Sequence, residues 1–300
     1  MISLRDRILL LRAVDGVRGI DDDGLLMLAE QSTVRAYGAG DVIREGGALP
    51  RILALVVSGQ VSVTSRTLPA AVLTARASFG VLEAIAEVGA DRGVADVDTT
   101  LLEVPVSLFR AVLAESFSLV RSTLRSIGTE LAVLQRGLPV FPEQTTSPRP
   151  GIYFDRPRTI VERLIELRQG SFAGIDIEAL GDVTRRMKEV RLPAGHVFWT
   201  TGEEPAFALH VDYGLVRCTT LASESVEVGC SAVLGIVDLC SARPRTYEAR
   251  AQSAIIAQTI DREDFFLVAE MHMSLSLGML RDLARQLLAV GTGEAVHGRG

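Results

Sequence analysis

The chain has 300 residues, room for two hydrophobic cores at roughly 100–200 residues per domain. A composition of 48% hydrophobic and 23% charged residues excludes an intrinsically disordered chain. A net charge of −6 and a pI near 5.4 argue against a broad nucleic-acid-binding face.

Charges interrupt the apolar run at Met1-Ile2-Ser3-Leu4-Arg5-Asp6-Arg7, which predicts an amphipathic helix over 2–14 rather than a leader peptide. A second helix is predicted from Asp22 to Glu30, behind a run of aspartates suited to a helix N-terminus. From Thr33 to Val104 short Val, Ile, Leu and Thr runs punctuated by glycine predict six to eight strands, as in a barrel or jelly roll. Helix resumes after Pro105, where Phe117, Val120, Leu124, Ile127, Leu131 and Leu134 form an apolar seam. Prolines 139, 142, 148, 150 and 157, five of the chain's 11, mark 137–157 as an extended linker. Beyond it the order repeats: helices over Arg158–Arg168 and Ile177–Glu189, then strands over Val190–Ile260. A final helix over Met271–Val290 presents Met273, Leu277, Leu280, Ala284 and Leu287 on one face, before a polar tail at 291–300.

The repeat extends to single residues. An offset of 155 carries Gly19, Gly40, Gly47, Gly59 and Gly80 onto Gly174, Gly195, Gly202, Gly214 and Gly235. The same offset carries Val42, Val56 and Val61 onto Val197, Val211 and Val216. After one inserted residue, Ala95, Val104 and Phe109 meet Ala251, Ile260 and Phe265. Matching glycines mark matching turns, where positive φ is cheap only for glycine. One domain is duplicated, with modules expected at 1–136 and 158–290.

Helix, barrel and helix, with Ala39-Gly40-Asp41-Val42-Ile43 through Ser58-Gly59-Gln60-Val61 and its second copy, resembles the cyclic-nucleotide-binding domain. That fold serves the catabolite activator family, the regulatory subunits of cyclic-nucleotide-dependent kinases, and gated channels. The resemblance implies an α+β, mainly β class: two tandem β-barrel or jelly-roll domains, each flanked by α-helices. It also implies a phosphate-binding cassette after the sixth strand of each barrel. There a Gly-Glu pair opens a short helix, and an Arg about nine residues later meets the cyclic phosphate. A helix N-terminus attracts the anion, a guanidinium pairs with it, and the Glu accepts from the ribose hydroxyl.

In the second copy the resemblance points to Gly235, Ile236, Val237, Arg245 and Thr246 as ligand-binding candidates. Arg245 has the family spacing, but Ile236 stands where the Glu belongs. Arg245 reads either as the phosphate ligand or as a surface residue of an Arg243-Pro244-Arg245 turn. The degenerate first cassette is Gly80, Val81 and Leu82, with Arg92 about three residues late. Glu83 and Asp238, two positions beyond the missing Glu, are alternative acceptors in a shifted register. An apolar residue at the ribose contact leaves a buried hydroxyl unpaired, at about 1–3 kcal/mol.

Nothing in the sequence points to catalysis: there is no nucleophile elbow, Walker loop or dinucleotide-binding glycine pattern. No metal site is expected, because His196 and His210 stand 14 apart and the cysteines lack Cys-x-x-Cys spacing. No apolar run reaches the ~18 residues of a membrane span. Too few residues follow Val290 for a helix-turn-helix, so no DNA partner is expected. Cys218, Cys230 and Cys240 are odd in number and suit a reduced cytoplasm.

Two functions follow as expectations, neither with a cofactor. In one, a non-enzymatic regulatory protein senses a cyclic nucleotide (cAMP or cGMP) or related anion through its second domain. It signals to a protein partner by repositioning helix 271–290. In the other, a ligand-free pseudo-sensor acts as an interaction scaffold. The seams of helices 117–134 and 271–290 either pair with a second copy of the chain or pack internally.

Overall fold

The computed structural model describes residues 2–14, 19–64, 70–134, 138–139, 151–152, 155–169 and 174–291. Most of the expected linker 137–157, and the tail beyond Gly291, lie outside them. Contacts divide the described residues into two compact units. Among the described residues, unit 1 runs to Ser126 and includes 279–291; unit 2 runs from Ile127 to Gly278.

The N-terminal repeat opens with α1 (Leu4–Arg12) and α2 (Asp22–Gln31). Ser3 and Asp6 form a capping box at the start of α1, and the Asp21 side chain accepts from Gly24 N–H to cap α2. The strands follow as β1 (Thr33–Tyr37), β2 (Val42–Arg44), β3 (Ile52–Ser58), β4 (Val61–Thr64), β5 (Ala71–Leu73) and β6 (Ser78–Phe79). A six-residue helix, α3 (Val81–Ala86), precedes β7 (Arg92–Ala95) and β8 (Thr99–Pro105). The repeat closes with α4 (Val106–Glu115) and α5 (Phe117–Leu134). All pairings are antiparallel, in two four-stranded sheets ordered β1-β8-β3-β6 and β2-β7-β4-β5.

The second repeat uses the same plan: α6 (Ile160–Gln169), α7 (Ile177–Arg186), β9 (Lys188–Leu192), β10 (Val197–Trp199), β11 (Phe207–Tyr213) and β12 (Val216–Thr220). Then come β13 (Ser225–Val228), β14 (Val233–Leu234), α8 (Ile236–Ser241), β15 (Tyr247–Ala251), β16 (Ile255–Asp261), α9 (Arg262–Met271) and α10 (Met273–Gly291). Its sheets run β9-β16-β11-β14 and β10-β15-β12-β13, the first repeat's orders strand for strand. Irregularities recur as well: the register shifts at Val56/Ser58 in β3 and at Val211/Tyr213 in β11. This is the tandem helix–jelly-roll–helix plan that the sequence implies, α+β and mainly β.

Several boundaries differ from expectation. The helix expected to reach Glu189 stops at Arg186, because Lys188–Leu192 pairs with β16 as a strand. The last helix, expected over Met271–Val290, is α10, and α9, which ends just before it, has no counterpart among the expected elements. Both seams are buried along their centres: Val120, Leu124, Ile127 and Leu131 in α5, and Leu280, Ala284 and Leu287 in α10. Internal packing, one of the two alternatives expected for these faces, takes up the centre of each seam. Each stripe is divided. Residues of α5 from Ile127 belong to unit 2, and residues of α10 from Met279 belong to unit 1.

The barrel cores differ in content. Unit 1 gathers Ala54, Val56, Val61, Val63, Phe79 and Leu101. Unit 2 has a larger cluster around Trp199 and Tyr247, whose rings meet edge-on at 5.7 Å.

Candidate functional site: two cassettes closed by arginines

Each cassette begins where a barrel strand turns into a short helix. Gly80 (φ +91°) caps α3 and Gly235 (φ +79°) caps α8, both left-handed, the conformation for which glycine has no steric cost. The neighbouring side chains exploit the missing Cβ: one placed on Gly80 would stand 2.8 Å from Arg44 Nη1, and one on Gly235 would collide with Arg245 Nη1.

In unit 2 Arg245 is 2% exposed, whereas Arg243 and Pro244 before it are exposed. Its backbone is pinned by bonds from Arg245 N–H to Glu203 O (2.8 Å) and from Gly202 N–H to Arg245 O (2.8 Å). That pairing turns the side chain inward. Nη1 donates to Gly235 O (3.3 Å) and to Asp238 Oδ2 (3.3 Å), and Nη2 donates to Phe207 O. The guanidinium lies 4.0 Å from the Trp199 ring centroid, a desolvated cation–π contact. Tyr247 Oη accepts from Gly235 N–H at 3.2 Å, so a cassette amide that could meet an anion is already bonded. Burial pushes the Asp238 carboxyl up to about 6 against the opposing pull of Arg245, and also pushes up the Tyr247 hydroxyl.

Unit 1 reaches the same arrangement by another route. The guanidinium comes from Arg44 at the end of β2, donating from Nη2 to Glu83 Oε1 (3.0 Å) and from Nε to Asp91 O (2.7 Å). Its Cζ stands 5.1 Å from the Phe79 ring centroid, and both charged side chains are about nine-tenths buried. Arg92, the candidate from sequence, is an exposed β7 residue beside Glu45 (3.4 Å) and takes no part.

The structure thus brings together Gly235 and Arg245, and it places Gly80 against Arg44 instead of Arg92. Ile236 and Val81 line apolar cavities under their cassettes, and neither offers an acceptor. Val237, Leu82 and Thr246 are half-buried. Glu83 and Asp238 are recruited as acceptors, but by the chain's own arginines. Sequence reasoning missed Arg44, Trp199 and Tyr247. For Trp199 and Tyr247 a signal existed, because bulky aromatics stand at a cassette edge and in a barrel strand. Among the described residues no group of three or more His, Cys, Asp or Glu could hold a metal, and no helix is long and apolar enough to cross a membrane.

No protein-family model matches this sequence, and no curated protein matches it. Among solved structures the chain is similar to the regulatory domain of Toxoplasma gondii protein kinase A with cAMP. The identity is 15%, over 94% of this chain and 97% of that one, with a TM-score of 0.37. It is similar to the regulatory subunit of a cAMP-independent protein kinase A from Trypanosoma cruzi bound to guanosine, at 13% identity, 94% and 88% coverage and a TM-score of 0.35. The N-terminal domain of a transcriptional regulator from Streptomyces coelicolor is 24% identical over 39% of this chain and 84% of its own, with a TM-score of 0.35.

Proposed function

We propose that this chain is a non-enzymatic regulatory protein built of two repeats, 1–136 and 158–290, each with a self-closed cassette, that acts through contacts with a protein partner. The observation that carries this reading is Arg245. Its guanidinium is shared among two backbone carbonyls and Asp238 and is stacked on Trp199, in the place where the resemblance expects a phosphate. A nucleotide would have to displace Asp238 and leave it buried without its cation, which costs about 3–5 kcal/mol. It would also meet Ile236 in place of a ribose acceptor. Unit 1, with Arg44 on Glu83, is closed in the same way. Free thiols at Cys218, Cys230 and Cys240 fit a reducing compartment such as the cytoplasm.

A second reading is favoured by one observation: Arg245 Nε is buried without a hydrogen-bond partner. An anion that replaced Asp238 and also took the Nε proton would satisfy the guanidinium more fully, making the second cassette a latent cyclic-nucleotide sensor.

Calorimetry with cAMP, cGMP and a cyclic dinucleotide separates the two. Self-closed modules give flat titrations at millimolar ligand for the wild type and for Asp238→Asn. A latent sensor gives saturable binding that tightens in Asp238→Asn and disappears in Arg245→Ala.

A further inference from the structure

Unit 1 carries a cluster of arginines at the far end of its cassette helix that unit 2 lacks. Glu87, the residue after α3, is left-handed (φ +56°), and Ala242 repeats that conformation (φ +55°) after α8. Three arginines surround Glu87. Arg110 of α4 donates from Nη2 to Ala84 O (2.7 Å), and Arg285 of α10 donates from Nε to Ala86 O (2.9 Å). Arg281 of α10 donates from Nη2 to Glu87 Oε1 (3.2 Å). The repeat offsets place Ala242, Phe266 and Thr129 where unit 1 has Glu87, Arg110 and Arg285, and only Arg125, the match of Arg281, keeps its charge. Unit 2 makes the same turn without the carboxylate and without two of the arginines. Folding of the turn therefore does not require the cluster.

Glu87 serves these arginines only in part. Three guanidiniums against one carboxylate leave a surplus of two positive charges. Arg110 Nη1 comes no nearer to Glu87 than 3.7 Å, and Arg281 Nε, 3.2 Å from Oε2, has no aligned hydrogen-bond acceptor. Arg285 is exposed and uses only Nε on the chain; its terminal nitrogens make no hydrogen bond among the described residues. The side chains of Arg110, Arg281 and Glu87 are 41%, 41% and 37% exposed, so the cluster is open to solvent. The bonds to Ala84 O and Ala86 O also cover the carbonyl end of α3, whose partial negative charge would otherwise repel an anion.

We infer that this cluster docks an acidic segment of a protein partner, whose carboxylates pair with Arg110, Arg281 and Arg285 in place of Glu87. Glu87 is the internal stand-in that the segment displaces. Planar guanidinium forks match carboxylates in geometry as well as in charge. The complementarity is local. With a net charge of −6 the chain has no general attraction for acidic proteins, and only a spot where arginines outnumber carboxylates can hold one. A nucleic acid needs a longer basic track than three side chains at one helix end. The inference rests on the reading that the chain acts through a protein partner, and it supplies that partner's chemistry. It does not depend on whether the cassettes admit a nucleotide.

A fluorescein-labelled hexaglutamate peptide, with hexaglutamine as the neutral control, is a suitable probe for anisotropy titration of the full chain at low salt. Wild-type protein is expected to bind hexaglutamate saturably and at least about tenfold more tightly than hexaglutamine. The double substitution Arg281→Gln with Arg285→Gln should weaken hexaglutamate about fivefold or more. Glu87→Gln removes the internal competitor and should tighten it about threefold, a gain that loss of folding cannot imitate. Glu227→Gln makes the same charge change beside Arg217 in unit 2 and should leave the affinity as it was. Equal binding of the two peptides, no saturable binding, an unchanged affinity in the arginine variant, or no gain in Glu87→Gln beyond that in Glu227→Gln would each overturn the assignment. Tighter binding of a labelled oligothymidylate than of hexaglutamate would overturn it in favour of nucleic acid. Any of these results removes the site and leaves the closed cassettes standing, whereas nucleotide binding by calorimetry removes the closed cassettes and leaves the site.

Discussion

In unit 1 the guanidinium against the cassette glycine comes from β2, before the cassette in sequence. In unit 2 it comes from the segment after α8. The carboxylates, Glu83 and Asp238, are equivalent positions, yet Arg44 corresponds to Trp199, and Arg245 has no matching arginine in unit 1. Two unrelated positions therefore deliver a cation to one spot. The requirement is set by the local structure: a buried carboxylate in the first turn of the cassette helix, beside a carbonyl and an open glycine, is costly unless a cation reaches it. The units differ in what surrounds the pair. Trp199 and Tyr247 fill barrel 2 around Arg245, whereas Arg44 stands beside the more distant Phe79.

Breaking either pair tests that comparison most severely. Arg245→Ala strands Asp238 and removes the Trp199 stack, so urea unfolding should show a loss of about 3–5 kcal/mol. Arg44→Ala should lie at the lower end of the same range, and a larger loss in unit 1 would reverse the ranking. The double substitution Arg44→Met with Glu83→Leu should be neutral or stabilising, as for apolar replacements of buried ion pairs.

Gly235→Ala comes next, at roughly 2 kcal/mol or more, because a left-handed Cβ would also displace Arg245. Gly80→Ala should cost less, since a Cβ there would stand 2.8 Å from Arg44 Nη1, farther than one on Gly235 would stand from Arg245 Nη1. Thermal melts of the two variants give the order.

Acid tests the unit 2 pair directly. Asp238 has a folded value of about 6, above its unfolded value near 4. Its contribution to stability is therefore complete below about pH 4 and lost as pH rises through about 6, on the order of 1–3 kcal/mol. Asp238→Asn should flatten this part of the urea-midpoint profile against pH, and an unchanged profile would remove Asp238 as the source. The smallest contrast is at the helix caps. Asp21→Ala should cost about 1 kcal/mol and Asp176→Ala less, since Asp21 accepts from Gly24 N–H at 2.8 Å and Asp176 from Glu178 N–H at 3.3 Å.

Much of the architecture was legible because its signals are local. Gly40, Gly59 and Gly80 report positive φ one residue at a time, and their copies at 195, 214 and 235 report the duplication. The spacing of Arg245 from Gly235 was equally readable, since both lie within one loop-and-helix segment. Arg44 was not, because its carboxylate is 39 residues away and the two meet only when the barrel closes. Arg245 reads as a turn residue because Arg243 and Pro244 are exposed beside it, and only its burial and its bonds to Gly235 O, Asp238 and Phe207 O show that its side chain turns inward. The seams of α5 and α10 were visible, but periodicity says that a face is buried without saying against what.

The division of α10 has a consequence for how the molecule is made. Within unit 1, Arg281 pairs with Glu87 across 194 residues of sequence, and Arg285 Nε donates to Ala86 O across 199. A chain emerging from the ribosome thus cannot complete its first unit when the first repeat has been synthesised. The carbonyl end of α3 must wait until nearly all of the second repeat has followed. Unit 2 faces no such delay, for the α5 residues it uses, including Gly128 against Ser241 and Val237, are translated before its barrel. Order of synthesis therefore runs opposite to order of completion, and the half-finished first unit is the species most exposed to a chaperone or a protease.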